Sequence, residues 1–239
     1  MTEAGEALQN GPSNTAIKVV ELDTRLDFHA LHRLAPDRYP FLLQSTAGTS
    51  GLGRFDILFA FPGEFLELDA NAGLRGQLAG GEKGFLDALD RCWMESAAAS
   101  VDAHWPFTGG WFLYLSYELA AEIEPALSLQ ADSVLPVALA VRCPAAVIRD
   151  HDTDRCVLLH EADADVDAQI VHDDIVAATT LANTTSAAAG WCPLVAEQSP
   201  HIFLDAVGKA KQYIARGDIY QANLSRGWSA EMDQPIDAN

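Results

Sequence analysis

The sequence predicts an α+β fold, with strands in hairpins and helices inserted among them. Three observations carry that expectation. Short apolar segments recur at hairpin spacing, amphipathic helical segments are inserted among them without regular βαβ alternation, and 49% hydrophobic residues in a chain of 239 supply a substantial core.

Residues 1–14, MTEAGEALQNGPSN, lack periodicity and read as a mobile arm. IKVVEL, from Ile17, reads as a strand, and Asp27 is placed to cap a short helix, DFHALHRL, that ends before Pro36. The strand FLLQS (Phe41 to Ser45) meets the loop TAGTSGLG, whose glycines permit unusual backbone angles. RFDILFAFP, in which Phe55, Ile57 and Phe59 alternate with Asp56 and Leu58, and then FLEL are strands at hairpin spacing. From Gly84 to Ala99, apolar residues at Phe85, Leu86, Leu89, Cys92, Trp93 and Ala97 have helical spacing with one buried face.

GGWFLYLSYEL, from Gly109, is a long aromatic strand, most of it too apolar for an exposed edge. VALAVRC, AAVIRD and CVLLHEAD follow as strands, with HDTD as a tight turn between the last two. DVDAQIVHDDIVAATTLA is helical, and NTTSAAAGWCP has the composition of a linker. A last helix starts at Ser199 with Pro200 in its first turn, places Phe203, Ala206, Val207, Ala210, Tyr213 and Ile214 on one face, and closes on Gly217 as a left-handed cap. IYQANLSRGW then reads as a strand with Gln221, Asn223 and Ser225 on one face and Tyr220, Leu224 and Trp228 on the other.

Acidic residues number 34 against 15 Lys plus Arg, a formal net charge of −19, which makes nucleic acid and anionic membrane poor partners. No window reaches the roughly 18 apolar residues of a membrane span, and the N-terminus has no basic region followed by an apolar run, which points to the cytoplasm. Cys92, Cys143, Cys156 and Cys192 have no C-x-x-C spacing and read as reduced core thiols. His29 and His32 share a helix face but have no third ligand nearby, so they read as partly exposed histidines rather than a metal site.

The stretch GDIYQANLSRGW, Gly217 to Trp228, resembles the segment that opens the chorismate-binding half of the large subunits of anthranilate synthase and aminodeoxychorismate synthase. RYPFLLQS from Arg38, GRFDILFAFP from Gly53 and GGWFLYLSYEL from Gly109 are similar to that superfamily's N-terminal blocks, in order and at plausible spacing. RFDILFAFP resembles the aminodeoxychorismate synthase branch, component I, in particular. The resemblance implies an anthranilate synthase component I-like domain over residues 15–182, built as two packed, mostly antiparallel β-sheets with outer helices, a linker over 183–198 and the start of an incomplete chorismate-binding domain over 199–239. It also implies amination of chorismate, with ammonia from a glutamine amidotransferase subunit, on the route to 4-aminobenzoate and folate. Magnesium held by glutamates serves that chemistry in the family. Those glutamates, the catalytic lysine and a catalytic histidine lie beyond the opening segment, so the expectation is a truncated chain with no catalytic residue and no metal ligand of its own.

By the same resemblance, Leu43, Ser45, Phe55 and Asp56 line a pocket for tryptophan, with Ser45 on the ligand's amine or carboxylate, Phe55 packed on the indole and Asp56 paired with the ammonium. The plain alternative is a surface contact between Arg54 and Asp56 beside a packed Phe55. Gln221 and Asn223 are either the solvated side of a strand or neutral amides near an active site. Rival functions are anthranilate synthase, or a non-catalytic module that binds an amino acid or docks an amidotransferase.

Overall fold

The computed structural model describes residues 16–23, 26–44, 53–96, 104–129, 134–182 and 194–231. They fall into two units that divide after Thr184. The first runs β1 (Ile17–Leu22), α1 (Phe28–Leu34), β2 (Phe41–Leu43), β3 (Phe55–Ala60), β4 (Phe65–Asp69), β5 (Gly73–Arg75), α2 (Phe85–Ser96), β6 (Gly110–Leu115), α3 (Ala120–Ile123), β7 (Ala138–Cys143), β8 (Ala145–Asp150), β9 (Arg155–Glu161) and α4 (Ala168–Ala182).

These strands form two antiparallel sheets, one ordered β1-β9-β8-β3-β2 and one ordered β5-β4-β7-β6. Strands buried on both faces read as continuous apolar runs, as in β8 and β9. On β3, Leu58 and Ala60 face one side, where α1 and α4 bring Phe28, Leu31, Val171 and Ala178. Ile57 and Phe59 face the other side and meet Val141, Cys143 and Phe112 of the second sheet. Phe41 and Phe112 stack with ring centroids 3.8 Å apart, and Phe59 meets Phe107 and Phe112 edge-on at 5.0 and 5.4 Å. α2 closes the outer face of the second sheet through Phe85 and Ala88 on Leu66, Ala138 and Ala140. The layers are helices, sheet, sheet and helix, an α+β architecture with outer helices as expected.

Two prolines turn the chain from sheet to sheet. β3 and β4 are not the hairpin that their spacing suggests, because Phe61 takes a left-handed φ of 55° and gives its N–H to Arg38 O at 2.9 Å. Pro62 then has no N–H with which to continue the ladder, and β4 joins the second sheet. At the second corner, Pro144 alone separates β7 from β8, which lie in different sheets. The turn His151 to Asp154 does close a β8–β9 hairpin, with Asp154 left-handed at φ 51°.

Asp27 caps α1 as anticipated, accepting from His29 and Ala30 N–H at 2.9 and 3.2 Å. α2 is capped from outside its own sequence: Glu122 accepts from Phe85 N–H at 2.7 Å and Leu86 N–H at 3.1 Å. Asp174 of α4 accepts from Tyr39 Oη at 2.8 Å and pairs with Arg38. Burial, then that hydrogen bond, pushes the Tyr39 phenol well above its usual value. GGWFLYLSYEL is a strand only through Leu115 and then tightens into a 3₁₀ turn, Tyr117–Leu119. β6 is also an edge strand, contrary to its apolar reading. Its apolarity serves its faces, Phe112 inside the sandwich and Trp111 beneath α2.

The second unit holds β10 (Leu194–Glu197), α5 (Pro200–Arg216) and β11 (Trp228–Glu231). Pro200 and Gly217 mark the ends of α5 as expected, with Gly217 at φ 79° donating to Ile214 O at 3.0 Å. The strand expected at Ile219 to Trp228 is displaced. Residues 219–227 carry no ladder, and pairing begins at Trp228, opposite Glu197. On that side β10, within the stretch that reads as linker, stops at Glu197, and the chain turns into α5 at Pro200, so β10 has nothing opposite residues 219–226. Tyr220, Leu224 and Trp228 are exposed. No helix of the described residues is long and apolar enough to cross a membrane.

Candidate functional site

The sequence-predicted pocket falls at the β2–β3 edge of the first sheet. Leu43 lies opposite Ile57 and is exposed; Ser45 is outside the described residues. Phe55 faces the interior of the sandwich, its ring centroid 6.5 Å from that of Trp105, with the Arg54 guanidinium 4.6 Å over its ring. Asp56, one residue on, points to the opposite face, the one covered by α1, and is only 4% exposed. The structure therefore brings Leu43 and Phe55 to one face of β3 and Asp56 to the other.

Asp56 does not pair with Arg54. Its Oδ2 lies 2.9 Å from His151 Nε2, and its cross-strand neighbour on the same face is Arg149. Arg149 donates to Leu26 O, stands 4.9 Å over the Phe28 ring, and leaves its buried Nε without a partner. Arg54 goes to Asp150 instead, through Nε at 2.9 Å and Nη2 at 2.7 Å. The fully buried Asp150 also accepts from the Thr153 hydroxyl at 2.9 Å and Asp152 N–H at 3.0 Å. Arg54 above all, against the opposing effect of burial, holds the Asp150 carboxyl far below the usual carboxylate range. Asp56, Arg149 and His151 thus put both signs of charge on one partly covered face, a set able to meet the ammonium and carboxylate of a zwitterion.

Sequence reading did not find Arg149, Asp150 or His151. The signal for Asp150 was present, an acid just before a turn with a hydroxyl three residues on. Arg149 becomes a neighbour of Asp56 only through the β3–β8 pairing, which no local pattern encodes.

Elsewhere, Gln221 and Asn223 are exposed and touch each other, Nε2 to Oδ1, at 3.5 Å. Asp218 pairs with Arg216 at 3.1 Å. His29 meets Gln44 Oε1 at 2.7 Å, and His32 Nδ1 meets Tyr39 O at 2.7 Å, so the two histidines serve different neighbours. Cys92, Cys143 and Cys156 are free and buried, with burial pushing the Cys143 and Cys156 thiols up to about 11; Cys192 lies outside the described residues. Among the described residues no group of three or more His, Cys, Asp or Glu is arranged to hold a metal ion.

Residues 51–238 match the family of chorismate binding enzymes, a span that takes in most of the chain and parts of both units. The chain belongs to that family. It is 30% identical over 156 residues to an anthranilate synthase component I-like protein of Synechocystis sp., a match covering 64% of this chain and 31% of that one. The chain thus spans about a third of that relative's length. It is also similar to the solved anthranilate synthase component I of Streptococcus pneumoniae, at 18% identity and a TM-score of 0.46, over 74% of this chain and 42% of the other.

Proposed function

We propose that this chain is the N-terminal part of an aminodeoxychorismate synthase component I, the large subunit that aminates chorismate to 4-amino-4-deoxychorismate with ammonia from a glutamine amidotransferase. The observation that carries the reading is the occurrence of RFDILFAFP, Arg54 to Pro62, and GDIYQANLSRGW, Gly217 to Trp228, within one chorismate-binding family match. The first block favours the aminodeoxychorismate branch over anthranilate synthase. In the second, Gln221 and Asn223 offer neutral amides, able to hydrogen-bond the carboxylates and hydroxyls of chorismate without adding charge.

The magnesium that such chemistry uses would neutralise charge on the substrate carboxylate as the hydroxyl departs. The described residues supply no ligand set for it, and no step is assigned to them through the metal.

The test is product analysis with chorismate, ammonium and magnesium. The 239-residue chain is expected to leave chorismate unconsumed, and the complete product of its gene to form 4-amino-4-deoxychorismate. Anthranilate from the complete product overturns the branch assignment. Turnover by the 239-residue chain itself overturns the reading of it as a part.

A further inference from the structure

Between α2 and β6 lies a cavity of about 460 Å³, within the range of small-molecule sites. Leu86, Leu89 and Leu113 give it apolar walls, Trp93, Phe107 and Trp111 add aromatic rings, and Asp90 is its single charged lining residue. We propose that this cavity binds an organic ammonium ion with an apolar or aromatic tail, a site separate from the Asp56 face and independent of chorismate chemistry.

Charge complementarity selects the ligand. Neither Lys nor Arg lines the cavity, and the next residue, Arg91, is committed elsewhere: to Glu82 at 2.5 Å, Glu95 at 3.1 Å and Leu78 O at 2.6 Å. Among the described residues no cation pairs with the exposed Asp90. Its carboxylate is a counter-charge for a ligand cation beside ring faces that attract cations through their quadrupoles. A net charge of −19 draws cations to the whole molecule and repels anions. Apolar walls select the tail, since Trp93 is 58% exposed and Leu113 45%, apolar surface that a bound ligand removes from water.

The wall is also held in place. Glu122 clamps the first turn of α2 through two backbone N–H groups. On the other side, Gly109 and Gly110 take φ of +98° and +146°, turning the chain from Phe107 into β6. A site with walls fixed before binding loses less entropy on capture of a ligand.

Three probes of one shape separate charge from apolar fit: phenylbutylammonium, phenylbutanol and phenylbutyrate, titrated into the 239-residue chain by calorimetry. The ammonium is expected to bind about fivefold more tightly than the alcohol, the advantage of one partly solvated ion pair, and the carboxylate more weakly than either. Asp90→Asn should bring the ammonium and the alcohol to within about twofold, and Trp93→Ala should weaken both. Both side chains are exposed, so unchanged melting curves are expected of the variants. In wild type, added salt should shrink the ammonium's advantage and leave the alcohol unaffected. Equal affinities for the three probes, no saturable binding, or an Asp90→Asn chain that keeps its preference would each overturn the proposal.

Discussion

Asp150→Asn removes a negative charge at the point where the β8–β9 turn, β3 and Arg54 meet. The side chain is fully buried and accepts four hydrogen bonds: two from Arg54, one from the Thr153 hydroxyl and one from Asp152 N–H. Asparagine keeps the shape but presents an NH₂ group to an array of donors, so at least one donor loses its acceptor and the guanidinium loses its counter-charge. A hydrogen bond to a charged group contributes about 1.5–3 kcal/mol net, and breaking a buried pair costs about 3–5 kcal/mol. Arg54 is one-third exposed and has Asp152 3.6 Å away as a second partner, which softens the loss. The expected destabilisation is about 2–4 kcal/mol, a fall in melting temperature of roughly 5–15 °C.

The pH dependence adds an independent check. Arg54 holds the folded carboxyl below its usual value, while in the unfolded chain it titrates near the ordinary value of about 4. The stabilisation is therefore fully present above that ordinary value and is lost as pH falls toward the folded one. Denaturant unfolding of wild type and Asp150→Asn should show the full gap at about pH 7 and a smaller one at about pH 3. A gap under about 0.5 kcal/mol at neutral pH, the usual range for a bland surface change, would refute the reasoning, and so would a gap that does not narrow in acid.

Glu122→Ala should cost about 1–2 kcal/mol in denaturant unfolding, the range of a lost helix cap, because two α2 N–H groups lose their acceptor. Gly109→Ala is expected to destabilise more than a typical surface change, since a Cβ there would sit 2.1 Å from Glu161 Oε1, which Arg142 Nη2 holds at 2.6 Å; an unchanged melting curve would refute that geometry. Amide exchange should be fast over residues 219–227, where no ladder forms, and slow in β8 and β9 at the centre of the first sheet; slow exchange over 219–227 would contradict the pairing. A tryptophan that binds on the Asp56 face, present at about 100 times its dissociation constant, should raise stability by about 2.7 kcal/mol. Asp56→Ala should abolish that shift and Phe55→Leu should leave it, whereas a shift that depends on Phe55 would refute the opposite-face geometry.

What local pattern encodes was legible. Asp27, Pro200 and Gly217 mark helix ends because capping uses groups within a few residues, and all three stand where the sequence puts them. The HDTD turn was legible for the same reason. Sheet membership was not, since a strand's partner is chosen by the whole fold. Pro62 marks a break after β3, but nothing local says which sheet β4 then joins, or that Glu122 reaches back to cap α2. Apolar content misled at β6 because Phe112 packs inside the sandwich and Trp111 beneath α2, so an edge strand carries the apolar residues of a central one while Leu113 and Leu115 stay exposed. At 219–228 the alternation was real, but a ladder needs a partner alongside, and β10 gives way to α5 just past Glu197, opposite Trp228.

The candidate site separates these two kinds of information. Choosing Phe55 and Asp56 together rested on their adjacency in a block, yet adjacent residues in a strand point to opposite faces whatever the block matches. Each found partners suited to its own side: Phe55 an aromatic interior with Trp105, Asp56 the charged face with His151 and Arg149. A buried carboxylate so placed is more than a surface pair, so Asp56→Ala should itself destabilise the unliganded fold, by about 1–3 kcal/mol through the polar groups left unpaired. A ligand that uses Asp56 must approach from the α1 side, where Arg149 leaves a buried Nε unpaired. Two groups of opposite charge, cross-strand neighbours on one face, suit a zwitterionic ligand better than the combination of ring and carboxylate that the sequence suggested.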